Sequence, residues 1–235
     1  MFFEMLLSAV VGLNATDLTI DTVRAQTQNV VSAYEVRGMK VQVTQIEVDN
    51  PSPLLTRASP NQCTIMLNTS NTARFIWGKF VDTKDVSEEA ALQGFALAHE
   101  MGHCLLAKAR RGEVELPQLS AQLQSASSSS QSFMVSTLIG RKSVSGSENR
   151  YDETFSDLLG LHYVSMKHPE HFQLVLSKLK AARESFASND QAHHSTPFLN
   201  QANLRLVDQF VEQTQGKSLS DERIAKAGMH LASAR

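Results

Sequence analysis

Apolar side chains return every three or four positions from residue 19 to residue 36. Ile20, Val23, Val30, Val31 and Tyr34 share one stripe with Thr27. That period predicts an amphipathic helix, and Gly38 supplies its stop. Over 39–48 the period falls to two, but Val41 and Val43 lie on one face and Ile46 and Val48 on the other. An alternation that changes phase predicts a strand carrying a bulge. Asn50-Pro-Ser-Pro53 breaks it, because proline cannot donate to a strand ladder. A second strand is expected near 63–67. The apolar segment 75–81 around Trp77 reads as core that floors the cleft of the helix after it.

From residue 85 the pattern is helical. Ser87-Glu88-Glu89 supplies a cap and an acidic first turn, and Lys108, Arg110 and Arg111 before Gly112 supply a basic last turn and a stop. One long helix therefore carries Leu92, Phe95, Ala96, His99, His103 and Leu106. The Ser/Gln-rich stretch 120–132 is too polar to pack and reads as a surface loop or a frayed helix. Further helices are expected at 133–141, 150–167, 169–186, 198–214 and 221–234. A small sheet ahead of many helices indicates an α+β domain over 19–235.

Composition narrows the function by exclusion. A net charge of -2 with no dense Lys/Arg stripe gives no reason to expect nucleic acid as a partner. No stretch reaches the roughly 20 apolar residues of a transmembrane span. The apolar run within 1–18 fits either a signal-like segment or an amphipathic helix, with Glu4 where a signal peptide carries positive charge. Cys63 and Cys104 are either a disulfide or two thiols; a disulfide implies an oxidising compartment. The apolar start favours a soluble extracytoplasmic location over a cytoplasmic one.

The chemistry centres on His99-Glu100-Met101-Gly102-His103, an H-E-x-x-H inside the long helix. Spacing of i and i+4 puts both imidazoles on one face, a turn apart, where they can share a tetrahedral zinc ion. Glu100 is offset around the helix and reaches a water rather than the metal, the position of a general base. A catalytic zinc needs a third protein ligand. Leu106 and Ala109 occupy the positions of the metzincin Gly and His, and no acid lies at 122–124, where a close downstream glutamate would fall. Glu153 and Asp157, some fifty residues on, are again i and i+4. Glu153 can complete the zinc site and Asp157 can fix a ligating imidazole from behind. Glu148 and Asp152 offer a second register of the same pattern, in more Ser/Gly-rich sequence. His162, His168, His171 and His230 lack ligand spacing and read as ordinary.

His99 to His103 followed by Glu153-x-x-Ser156-Asp157-x-x-Gly160-Leu161 resembles the M48 (Ste24/HtpX-like) gluzincin peptidases. The likeness continues through the His168-Pro169 step and covers roughly 86–199. It implies a zincin-like fold, one zinc ion on His99, His103 and Glu153, endopeptidase activity on a polypeptide substrate, and an edge strand that holds the substrate extended. Residues 63–67 are expected to be that strand. The family also carries a late Thr-His-Pro step with an arginine soon after. His193-His194-Ser195-Thr196-Pro197 is the nearest match, which nominates His194 as an oxyanion stabiliser, and Arg205 lies further along than the pattern places it. The expected function is zinc-dependent hydrolysis of peptide bonds. The alternative is a zincin-fold peptide-binding or assembly protein with structural zinc, which has no need of Glu100.

Overall fold

Thr19 caps helix α1 (Ile20–Ala33), its hydroxyl accepting the Thr22 N–H at 3.1 Å. That bond satisfies one of the donors a helix start leaves open. Val23, Thr27, Val30 and Ala33 are buried along α1, the stripe expected from the sequence, and Tyr34 closes its end fully covered. The computed structural model describes residues 19–34, 39–59, 61–110, 117, 119, 146–186, 195–215 and 219–233. The segment 1–18, the stretch 120–132, the helix expected at 133–141 and His194 lie outside the described residues.

Strands β1 (Lys40–Ile46), β2 (Leu54–Ser59) and β3 (Gln62–Asn68) form one sheet in the order β1-β3-β2. β1 runs parallel to β3 in unbroken register from Lys40↔Gln62 to Ile46↔Asn68, so the expected bulge does not occur. The phase change marks the end of the strand. Val48 lies beyond it, and its N–H bonds to the Asn68 side chain at 3.2 Å. Asn68 also donates to the carbonyls of Val48, Asn50 and Ser52 at 3.1, 2.8 and 3.3 Å. One buried amide thus pins the proline-containing turn. β2, not anticipated from the sequence, pairs antiparallel with β3 from Leu54↔Leu67 to Ser59↔Gln62. With partners on both sides, β3 is the central strand. The expectation that residues 63–67 offer an exposed edge is corrected: β2 is the edge strand on that side.

Helix α2 (Asn71–Phe80) starts on Ser70 and contains most of the apolar segment 75–81; Trp77 is buried while Phe75 faces outward. Helix α3 (Val86–Lys108) starts on Asp85, whose carboxylate accepts the N–H groups of Ser87 and Glu88 at 2.7 and 3.4 Å. Ala91, Leu92, Phe95, Leu97, Ala98, Met101, Cys104 and Leu105 cover most of its circumference. A helix buried on so many sides runs through a core rather than along a surface. Helix α4 (Gly146–Lys167), a 3-10 turn (Pro169–His171), α5 (Phe172–Phe186), a second 3-10 turn (Thr196–Phe198), α6 (Gln201–Gln215) and α7 (Asp221–Ser233) follow. The fold is mixed α+β, with seven α-helices among the described residues and a small sheet. No described helix is long and apolar enough to cross a membrane.

The seam between α3 and α4 positions the site. The two helices run antiparallel and so close that a Cβ on Gly102 would stand 2.7 Å from the Cα of Ser156. A Cβ on Gly160 would stand 2.7 Å from the Phe95 ring. Gly102→Ala is expected to push the helices apart, at a cost of about 1–3 kcal/mol for overpacking. Thermal unfolding together with a metal titration checks this; unchanged stability and affinity would show that the seam yields without loss.

Two further ties hold the frame. A disulfide joins Cys63 on β3 to Cys104 on α3, with Cα atoms 5.7 Å apart and 41 residues of sequence separation. Closing a loop of that length restricts the unfolded chain by about 4 kcal/mol. The double variant Cys63→Ser/Cys104→Ser is expected to lose stability of that order in denaturant titration, and an unchanged midpoint would refute it. His162, which takes no part in the ligand group, is fully buried. Its Nδ1 lies 2.8 Å from Tyr34 Oη and its Nε2 lies 2.9 Å from Asp208 Oδ1. Asp208 also accepts the Leu219 N–H at 2.7 Å. This buried chain of bonds links α1, α4 and α6.

Candidate metal centre

α3 presents His99 and His103 one turn apart, their rings nearly perpendicular with centroids 4.9 Å apart. Their Nε2 atoms are 3.1 Å from each other. α4 brings Glu153 opposite: Oε2 lies 3.6 Å from His99 Nε2 and Oε1 lies 3.6 Å from His103 Nε2. Among the described residues these three form a group whose ligand atoms all lie within 4.8 Å of one another, and they could hold a metal ion. The site is half-buried, with side-chain exposures of 13%, 25% and 15% for His99, His103 and Glu153. A ligand could therefore enter without unfolding.

Asp157 stands behind the pair. Its Oδ1 lies 2.8 Å from His99 Nδ1. Burial alone would raise the Asp157 pKa, yet the Arg183 guanidinium and His99 hold it well below the usual carboxylate range. Because Asp157 is ionised, His99 Nδ1 is the donor, and the neutral ring turns its Nε2 lone pair toward His103 and Glu153. That is the tautomer a metal requires. Burial works against protonating His99, but Asp157 and Glu153 outweigh it and raise its pKa. A metal at Nε2 competes with protonation there, so its binding weakens as pH falls.

Arg183 on α5 completes the support. Its Nε donates to Asp157 Oδ2 at 2.9 Å, and its Nη2 donates to Asp157 Oδ1 at 2.6 Å and to Glu153 Oε2 at 2.9 Å. Ser195, fully buried, donates its hydroxyl to Asp157 Oδ2 at 2.6 Å. Just beyond the end of α3, about two turns after His103, Arg110 makes a two-pronged pair with Asp152, next to Glu153 on α4. Asp152 is thus engaged by Arg110, and the Glu148 side chain lies outside the described residues.

Glu100 stays apart from the ligand group. Thr56 Oγ1, on β2, lies 2.5 Å from its Oε2 and 3.2 Å from its carbonyl oxygen. The edge strand therefore touches the acid directly. Aromatic rings step from the core to the site: Trp77 to Phe80, Phe80 to Phe95, and Phe95 to His99, with centroids 6.3, 6.1 and 6.4 Å apart. Arg205 does not join the site and pairs instead with Asp221 at 3.4 Å on the surface.

The structure thus brings together His99, His103, Glu153 and Asp157, with Glu100 adjoining. Sequence reasoning missed Thr56, Arg183 and Ser195. Arg183 had a signal: it continues the buried stripe of Phe172, Val175, Leu176 and Leu179, a lone charge on an apolar face. Thr56 and Ser195 had none, since nothing local distinguishes them from other small polar residues. No family model, curated protein or solved structure matches this chain.

Proposed function

We propose that this chain is a zinc-dependent endopeptidase. In this reading His99, His103 and Glu153 hold the metal, Glu100 is the general base, and the site resembles that of the M48 gluzincin peptidases. The observation that carries the reading is the donor triangle. The imidazole nitrogens stand 3.1 Å apart and each lies 3.6 Å from one of the two Glu153 oxygens, near the roughly 3.3–3.4 Å that separates ligands around a tetrahedral zinc with bonds of about 2.0–2.1 Å. Two imidazole nitrogens and one carboxylate oxygen are also a donor set that suits zinc.

When bound, zinc supplies Lewis acidity that polarises a carbonyl and brings the pKa of a water toward neutrality. The chain's own residues do the rest. Glu100 takes the proton of the attacking water on its carboxylate and delivers it to the departing amine nitrogen. The Thr56 hydroxyl on Oε2 orients that carboxylate. Asp157 keeps His99 in one tautomer and Arg183 keeps Asp157 ionised. β2 is the strand along which an extended polypeptide docks as an added strand, because its Thr56 already reaches Glu100. The buried Cys63–Cys104 disulfide supports an extracytoplasmic, oxidising compartment.

The test is the zinc content of purified protein by mass spectrometry, wild type against Glu153→Ala. Wild type is expected to carry about one zinc per chain and the variant to lose it at matched free metal. Wild-type protein that stays metal-free after reconstitution would falsify the reading. Zinc without cleavage of any unfolded polypeptide would favour a binding or assembly role.

A further inference from the structure

We propose that Arg183 is the positioning residue of the metal centre, an inference that rests on the zinc reading. A guanidinium only 9% exposed on an otherwise apolar face of α5 is costly to bury and has to be matched by its partners. Its partners are the two acids that α4 sends to the site. Nε and Nη2 form a two-pronged grip on Asp157, and the same Nη2 is shared with Glu153 Oε2. A single nitrogen thus sets the spacing between the carboxylate that orients His99 and the carboxylate that faces both imidazoles.

Two consequences follow from that sharing. Glu153 and Asp157 sit one turn apart beside one cation, so their mutual repulsion is offset before any metal arrives. The same cation keeps Glu153 facing the two imidazoles. The N–H on Oε2 also competes with a metal for that oxygen and biases Glu153 toward ligation through Oε1. Lysine cannot replace this role, because an ammonium is a point charge without the fork that grips one carboxylate while reaching a second.

The experiment titrates cobalt(II) into metal-free full-length wild type, Arg183→Lys and Arg183→Gln, and reads affinity and visible absorption together. Circular dichroism confirms that each variant is folded. Arg183→Lys keeps the charge and is expected to fold, to bind cobalt roughly 10–100-fold more weakly, and to show an altered band because Oε2 of Glu153 loses the N–H that it accepts from Arg183. Arg183→Gln is expected to do the same or worse; if it fails to fold, the lysine variant decides. Lysine protein with wild-type affinity and an unchanged band overturns the inference, whatever its melting temperature, since a merely structural arginine would lower stability alone. Wild type that binds no cobalt discards the metal-centre reading together with this inference. Wild type that binds while the variants bind identically discards the role of Arg183 alone.

Discussion

Glu100→Gln is expected to lower peptide hydrolysis by about 10²–10⁴-fold, the usual contribution of a general base, and to leave zinc content unchanged. The carboxylate is not one of the three residues whose ligand atoms cluster. Its Oε2 is held by Thr56 on the edge strand, on the side from which an extended substrate would approach. Glutamine keeps the shape and can still accept the Thr56 hydroxyl, but it has no oxygen basic enough to take a proton from water. Cleavage of a quenched fluorescent peptide, with zinc measured on the same samples, checks both halves. Full activity would remove Glu100 from the mechanism, and loss of zinc would make it a ligand.

Asp157→Asn is expected to be the most damaging single change to the frame of the site. The carboxylate accepts from His99 and Ser195 once each and from Arg183 twice. An asparagine leaves the buried guanidinium with Glu153 as its remaining charge partner, at a cost of up to about 3–5 kcal/mol. It also replaces the charged acceptor that fixes His99 by a neutral amide, with metal affinity expected to fall about 10–100-fold. The loss has a characteristic pH dependence. Burial raises the Asp157 pKa less than Arg183 and His99 lower it, so the folded protein holds that carboxyl below its unfolded value. Such a group contributes stability that is complete above the unfolded pKa of about 3.9 and fades as pH falls through the lower native value. The gap in melting temperature between wild type and Asp157→Asn is therefore expected to be widest near neutrality and to narrow steadily as pH falls below about 4. A gap that persists unchanged into acid would mean that the damage comes from packing rather than charge.

Much of this arrangement was legible in the chain because helices write their faces at a fixed period. The i, i+4 pairs His99/His103 and Glu153/Asp157 could be placed on helix faces without knowing what the helices packed against, and α3 and α4 carry them as expected. The sheet was harder. β2 has one fully buried residue, Leu54, among those whose side chains are described, so it lacked the alternation that betrays a strand. Missing β2 made β3 look like an edge. Tertiary pairing, which no local pattern encodes, decides which strand is central. The same limit applies to Ser195 and Thr56, whose roles come from neighbours 38 and 44 residues away. Gly102 and Gly160 were visible as residues but not as contacts. Their meaning depends on Ser156 and Phe95 across the seam.

That seam also sets a timetable for the chain as it is made. His99, Glu100 and His103 belong to a helix that ends at Lys108, whereas Glu153, Asp157, Arg183 and Ser195 all come after residue 145. A growing polypeptide that has delivered only α3 owns two imidazoles and a base but no third donor. The later half alone owns Glu153 and Asp157 without the His99 and His103 pair that they face. The three-residue group comes together only when α4 closes onto α3, with α5 behind it. A nascent or truncated product that lacks α4 is therefore expected to hold metal no better than a lone pair of histidines one helical turn apart.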